Sequence, residues 1–193
     1  MADEKTIRAF LAIDLPGEVR GEIAALQSRL KDVLEGVRWT RPEGIHLTLK
    51  FFGDIDKLTV GSIADIVEKK TEDCERLSFT MGSLGAFPTV KRARVLWLGV
   101  DGETEKLASL QGSMEEDFET LGFEKERRSF TPHLTLGRAR SPRGRIMGLR
   151  EVMESVGYEN PSPFFAEGLT LFKSDLASGG AVYTELAYFS FNG

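Results

Sequence analysis

The stretches HLTLKFF (46–52) and HLTLGRAR (133–140) begin with the same tetrad, His-Leu-Thr-Leu. They contain the only two histidines among 193 residues. At this chain's composition, a chance match of the three residues after the second histidine has a probability on the order of one in a thousand. The repeat therefore indicates an internal duplication, a chemical task that needs two similar groups, or both.

One spacing relates the two halves of the chain. His46 and His133 are 87 residues apart, and so are Asp14 and Asp101, which end the strands before two predicted long helices. The same spacing relates two residues in strands that are predicted to close each half: Val95 and Val182. We therefore predict one bilobal domain over residues 1–193, with repeat units at about 1–90 and 91–193.

The hydrophobic pattern predicts the order strand, helix, tetrad strand, helix and strand pair in each half. Amphipathic helices are predicted over 18–34, 59–74 and 103–121, and a shorter helix ends near Val156. The predicted fold class is α+β, with two lobes related by a pseudo-twofold axis. Each lobe is an antiparallel sheet with helices packed outside, and the lobes enclose a central cleft that receives one tetrad strand from each.

The composition is that of an ordinary soluble protein, with 41% hydrophobic and 28% charged residues. The single cysteine, Cys74, excludes an intrachain disulfide and a multi-cysteine metal site. The start of the chain lacks the basic region of a signal peptide, and no apolar run approaches the roughly 18 residues of a membrane span. We expect a cytoplasmic monomer without membrane attachment.

Arginines cluster after the second tetrad although the net charge is -5. No acid interrupts the following run of basic residues: Arg138, Arg140, Arg143, Arg145 and Arg150. This clustering favours a phosphate-bearing ligand, and a solvated arginine-rich loop is the alternative.

Strand alternation assigns the tetrad side chains to faces. His46 and Thr48 point to one face while the leucines between them point to the other, and the same holds for His133 and Thr135. The leucines would anchor each strand in the core, which leaves the imidazoles and hydroxyls for the cleft. Lys50 shares the face of the first histidine by parity.

The second tetrad continues differently. Arg138 falls on the wrong face of a regular strand, so it reaches the site only if Gly137 supplies a bulge. In that case Arg138 is the best candidate for neutralising transition-state charge. The first tetrad is predicted to continue as a regular strand, and the phosphate's charge would be held mainly from the second half.

Two imidazoles across a cleft suit a reaction that removes one proton and delivers another, each role being worth roughly 10² to 10⁴ in rate. Threonine hydroxyls can donate hydrogen bonds to phosphate oxygens, so the pattern favours a phosphodiester substrate. A metal site with an open position generally needs a third ligand, which neither tetrad provides. There is also no nucleophile elbow or nucleotide-binding loop. We expect neither a metal nor a cofactor.

The paired tetrads, together with RAFLAIDLP (8–16) and RVLWLGV (94–100), resemble the 2H phosphoesterase superfamily. The fuller pattern resembles its RNA 2′,3′-cyclic phosphodiesterase branch, also known as 2′-5′ RNA ligases. The resemblance implies that His46 donates a proton to the leaving ribose oxygen and His133 accepts one from water. It implies that Thr48, Thr135 and Arg138 hold the phosphate, and that the product is a 2′-phosphate. Implied partners are RNA ends, small cyclic nucleotides and tRNA fragments.

Phe51 and Phe130 lie beside the tetrads and are candidates for stacking a nucleobase. Core packing is the favoured role, since Phe51 shares parity with the tetrad leucines. Two other functions remain open: a 2′-5′ RNA ligase, in which an RNA hydroxyl replaces water, and a noncatalytic protein that binds RNA ends.

Overall fold

The structure, a computed structural model, describes residues 6–141, 143–155, 162–177 and 180–192. Within these ranges the strands are β1 (Thr6–Ile13), β2 (Val37–Trp39), β3 (Leu47–Asp56), β4 (Leu77–Phe87), β5 (Val95–Gly102), β6 (His133–Ala139), β7 (Phe164–Ala166), β8 (Gly168–Ala177) and β9 (Gly180–Ser190). The helices are α1 (Gly17–Lys31), α2 (Lys57–Thr71), α3 (Thr104–Thr120) and α4 (Leu149–Ser155). Val156, the predicted end of the last helix, lies outside the described residues. None of the described helices is long and apolar enough to cross a membrane.

The strands form an antiparallel sheet in the order β7-β4-β5-β6-β3-β1-β8-β9, and β2 pairs with β6. The order is symmetric about its centre, because β3-β1-β8 on one side corresponds to β6-β5-β4 on the other. β3 and β6 pair at one position, Leu47 with Leu134, so the sheet consists of two lobes that meet at the tetrads. The predicted α+β class with two antiparallel lobes is confirmed.

The first residue of α1, Gly17, and the first residue of α3, Thr104, are also 87 residues apart. The spacing of 87 residues between Val95 and Val182 has no counterpart in the sheet, because the strands that are predicted to close each half do not occupy equivalent positions. Val95 begins β5, which lies between β4 and β6, whereas Val182 lies in β9 at the end of the sheet. The strand after β4 is β5, which is the first strand of the second lobe in the chain. The strand after β8 is β9, which pairs with β8 at the edge of the sheet. The repeat boundary near residue 90 stays a prediction.

Helices α1 and α3 each support the tetrad strand of the other half. Gln27 in α1 is buried, and its Nε2 donates hydrogen bonds to the backbone oxygens of Thr40 (2.8 Å) and Leu136 (2.9 Å). In the opposite direction, Lys50 of β3 forms a buried ion pair with Glu115 of α3, with 2.7 Å between Nζ and Oε2. The two halves are therefore interlocked through their polar contacts as well as through the sheet.

Candidate active site

The two tetrads lie side by side where the lobes meet. The contact is made by the first leucine of each tetrad, and both leucines are fully buried: Leu47 and Leu134. Because the strands run antiparallel, the residues that flank this pair face each other, so His46 lies toward Thr135 and Thr48 toward His133. Alternation directs these four side chains to the face opposite the leucines. Two imidazoles and two hydroxyls therefore share one surface between the lobes.

A β-bulge follows the threonine of each tetrad. Leu49 is the extra residue in β3 opposite β1, and Leu136 is the extra residue in β6 opposite β5. Both leucines remain buried, and the alternation of side chains shifts by one residue beyond them. In β6, the bulge removes Leu136 from its pairing with β5. The backbone oxygen of Leu136 instead accepts hydrogen bonds from the side chain of Gln27 and from the backbone N–H of Thr40.

The positions of these bulges correct two predictions. The bulge in β6 lies at Leu136, one residue before the predicted Gly137, and the prediction that β3 continues as a regular strand is wrong. Leu49 and Leu136 are 87 residues apart, so the bulge is common to both halves. Gly137 has a different role: an added Cβ would lie 2.5 Å from Cγ1 of Val37, so glycine lets β2 approach β6.

The bulges turn two residues onto the histidine face, one in each half. Phe51 pairs with Phe10 of β1, with ring centroids 5.6 Å apart, and Phe10 in turn stacks on His46 at 4.6 Å. Phe51 is 59% exposed, so the core role that parity favoured is wrong for this residue. Arg138 occupies the equivalent position 87 residues later and is exposed. Burial is the main cause that lowers the pKa of both histidines, and the charge of Arg138 lowers it further.

Two other predicted neighbours lie away from this face. Beyond the bulge, Lys50 turns toward α3 and donates from Nζ to Glu115 Oε2 and to the backbone oxygen of Glu124, both at 2.7 Å. The expectation that Lys50 shares the face of His46 is therefore wrong, because that expectation assumed an unbroken strand. Phe130 is half-buried and packs against the hydrophobic core.

Aromatic rings surround His46. Phe10 stacks on the imidazole, Tyr183 of β9 meets it edge to face with centroids 5.1 Å apart, and Phe172 of β8 lies 6.3 Å away. Three strands of the same lobe thus contribute to one apolar pocket. The imidazole is held in it by contacts that do not require charge.

The rings around His133 have a related arrangement. Phe87 of β4 meets the imidazole edge to face at 5.1 Å, and Trp97 of β5 lies 6.0 Å away. The indole of Trp97 lies over Gly85, where an added Cβ would be 2.1 Å from the ring. Sequence reasoning did not identify these rings, although one signal was present: Phe10 and Trp97 are 87 residues apart.

Burial lowers the pKa of His46 from its ordinary value of 6.5 to about 4. Smaller effects oppose and reinforce this shift. The backbone of Gly44 and the carboxylate of Asp14 raise the pKa, whereas the guanidinium groups of Arg20 and Arg138 lower it. The ring is therefore uncharged at neutral pH in the unliganded protein.

Burial also lowers the pKa of His133, and the charge of Arg138 adds to that effect. Nδ1 of His133 lies 2.7 Å from the backbone oxygen of Thr131. Since a carbonyl can only accept, the neutral ring carries its proton on Nδ1 and leaves Nε2 able to accept another. Thr131 and Gly44 are 87 residues apart, so each histidine is oriented by the backbone two residues before it.

The chemistry of this surface is that of an acid–base pair with phosphate-binding groups beside it. Two neutral imidazoles, two hydroxyls and one guanidinium can move protons and bind an anion. In the described part of the chain, no group of three or more histidine, cysteine, aspartate or glutamate residues is arranged to hold a metal ion.

Comparison with known proteins gives consistent matches along the chain. The family model described as LigT like Phosphoesterase matches twice, over residues 13–97 and 98–183. An RNA 2′,3′-cyclic phosphodiesterase from Methanothermobacter thermautotrophicus is 34% identical over 183 residues, covering 95% of this chain and 98% of that protein. One from Methanocaldococcus jannaschii is 29% identical over 177 residues, covering 92% of this chain and 96% of the relative.

Solved structures also match this chain over nearly its whole length. The crystal structure of TT0787 from Thermus thermophilus matches with a TM-score of 0.78 at 25% identity, over 97% of this chain and 99% of the other. Escherichia coli LigT complexed with 3′-AMP also matches with a TM-score of 0.78 at 25% identity, again over 97% and 99% of the two chains.

Proposed function

Because this chain belongs to the LigT-like phosphoesterase family, we propose that it hydrolyses 2′,3′-cyclic phosphodiesters at RNA ends to 2′-phosphomonoesters. The observation that carries the proposal is the convergence of both tetrads on one face at the Leu47–Leu134 contact. The names of the two archaeal relatives supply the substrate class. General acid–base catalysis by His46 and His133 is the mechanism that this arrangement supports.

His133 serves as the proton acceptor in this mechanism. Its Nδ1 is occupied by the contact with Thr131, so Nε2 takes a proton from water as the water oxygen attacks phosphorus. The bond between phosphorus and the ribose 3′ oxygen breaks, and that oxygen receives a proton from His46. The phosphate stays on the 2′ oxygen, which gives the 2′-phosphomonoester.

His46 must be protonated to act as the acid, whereas its pKa in the unliganded protein is about 4. A bound phosphodiester favours protonation of His46 in two ways. Its negative charge favours the imidazolium directly, and it also offsets the positive charge of Arg138, which otherwise lowers the pKa of His46. The substrate therefore raises the pKa of its own general acid.

The remaining groups bind the substrate. Thr48 and Thr135 donate hydrogen bonds to the non-bridging phosphate oxygens, and Arg138 stabilises the charge that accumulates on them in the transition state. Phe51 is exposed on the same face, next to Phe10, and can stack the terminal base. None of these steps requires a metal ion.

The test uses an oligonucleotide that ends in a 2′,3′-cyclic phosphate, with identification of the phosphomonoester formed. His46→Ala and His133→Ala should each reduce kcat by roughly 10² to 10⁴ while retaining the far-UV circular dichroism of the parent. Arg29→Gln, on the exposed face of α1, is the matched control and should keep full activity.

Four outcomes would contradict the proposal. A 3′-phosphate product would reverse the assignment of the leaving oxygen, and loss of activity with EDTA would refute metal-independent catalysis. Undiminished RNA binding without turnover would favour a noncatalytic RNA-end binder. Adding an RNA with a 5′-hydroxyl tests for 2′-5′ ligation, since a joined product in place of the monoester would identify the ligase reaction.

A further inference from the structure

A cavity of about 500 Å³ opens beside the second tetrad. Among the described residues, its wall contains no aspartate or glutamate, and Phe87 lies on one side. Five arginines contribute to the wall: Arg38, Arg94, Arg128, Arg138 and Arg140. In a chain with a net charge of -5, this concentration of cations produces a local positive potential that favours an anion.

Two of these arginines lie directly opposite each other. Arg38 of β2 pairs with Arg138 of β6, so their Cβ atoms are separated by about 4.5–5.5 Å on the same face of the sheet. Like charges in this position destabilise a sheet. Neither guanidinium forms an ion pair with the described residues. A phosphate between them would replace the repulsion with charge-assisted hydrogen bonds.

The cavity is continuous with the candidate active site. Arg138 belongs to both, and Phe87 of the cavity wall contacts the ring of His133 edge to face at 5.1 Å. The proposed reaction uses only Arg138 from this group. Arg38 and Arg140 therefore lie where they can bind a second anion next to the reacting one.

The second anion follows from the structure of the substrate. A 2′,3′-cyclic phosphate occupies the 3′ end of an RNA, so every other phosphate in that RNA lies on its 5′ side. We propose that the arginine-lined cavity binds the phosphate on the 5′ side of the terminal nucleoside, so that the protein selects RNA ends over mononucleosides. This inference rests on the proposed function, and it names the substrate class of the same site.

The test compares three substrates: adenosine 2′,3′-cyclic phosphate, its 5′-phosphorylated form, and the dinucleotide ApA with a 2′,3′-cyclic phosphate. The parent protein should show a kcat/KM about tenfold higher for the two substrates that carry a second phosphate. Arg38→Gln and Arg140→Gln should each remove most of this preference. Arg29→Gln removes a positive charge outside the cavity and should retain it. A preference for ApA alone would identify an internal phosphodiester as the ligand.

Equal kcat/KM for all three substrates in the parent would overturn the inference, as would a preference that survives in both cavity variants. If the parent hydrolyses none of them, the proposed function fails. A binding measurement then tests whether the cavity binds a phosphate. A fluorescent ApA with a 3′-phosphate is titrated at several salt concentrations. The slope of log Kd against log salt should fall by roughly 0.7 in Arg38→Gln, and an unchanged slope would refute the subsite.

Discussion

Acidification from pH 7 to pH 4 should destabilise this protein through His46. The folded protein takes up a proton on His46 only near pH 4, whereas the unfolded chain does so near the ordinary value of 6.5. Between these values the unfolded state binds more protons, so stability falls as the pH falls through this window. A separation of about 2.5 pKa units corresponds to about 3 kcal/mol. This contribution is fully present above about pH 6.5.

The measurement is urea unfolding at half-unit pH steps, made on the parent and on His46→Asn. Carboxylates also titrate below pH 5, but they do so in both proteins and cancel in the difference. The parent should lose about 3 kcal/mol more than the variant between pH 6.5 and pH 4. The chain has two histidines, so its NMR spectrum has two imidazole Hε1 signals, and the variant assigns them.

Identical pH dependence in the two proteins would refute the reasoning, because burial of the neutral ring would then have no energetic consequence. A pKa near 6.5 for the signal that the variant lacks would refute it independently. Inorganic phosphate or vanadate should move that signal's pKa upward. Failure to move it would contradict the role of the bound anion in charging His46.

Three substitutions test other parts of the structure. Lys50→Met leaves Glu115 buried without its cation and should reduce the free energy of unfolding by about 3 kcal/mol, as measured with urea. Gly137→Ala places a Cβ 2.5 Å from Val37 Cγ1 and should cost about 1–3 kcal/mol in the same measurement. Phe51→Ala should change stability by less than about 0.5 kcal/mol, because the ring is exposed, while raising KM for a cyclic-ended dinucleotide roughly tenfold.

Each substitution has a control of the same chemical type. Lys125→Met removes an exposed ion pair and should cost less than about 1 kcal/mol. Gly21→Ala lies in α1 with open space around its Cβ and should be neutral or stabilising. Leu58→Ala removes an exposed side chain outside the cleft and should leave KM unchanged. If a control matches its test variant, the structural cause given for that variant is wrong.

The sequence predicts the strands, the helices and the fold class well, because these depend on the periodic burial of side chains. The tetrad leucines are buried as alternation requires, and the helix beginning at Thr104 starts 87 residues after the one beginning at Gly17. Composition and pattern together were enough for the α+β class and for two antiparallel lobes. These features need only the sign of each side chain's hydrophobicity and its position along the chain.

The residues after each tetrad could not be assigned in this way. A bulge costs one residue of register, and nothing in the letters of HLTLKFF (46–52) marks Leu49 as the extra one. In β6, the displaced oxygen of Leu136 accepts a hydrogen bond from Gln27, a residue 109 positions away in the chain, so no local pattern indicates this bulge. One missed bulge was sufficient to exchange the roles of Lys50 and Phe51. The aromatic rings around the histidines were missed because strand pairing, which determines them, is nonlocal.

The bulges have a consequence for the orientation of the proposed nucleotide substrate in the cleft. A duplicated cleft with identical halves would hold an asymmetric ligand equally well in two opposite orientations, and half of the bound molecules would present the wrong oxygen to each histidine. Phe51 and Arg138 occupy equivalent backbone positions, yet one offers a ring and the other a charge. In the reversed orientation a base would lie on the cation and a phosphate on the ring. In the proposed reaction, the difference between these two side chains contributes to one preferred orientation of the substrate in a nearly symmetric cleft.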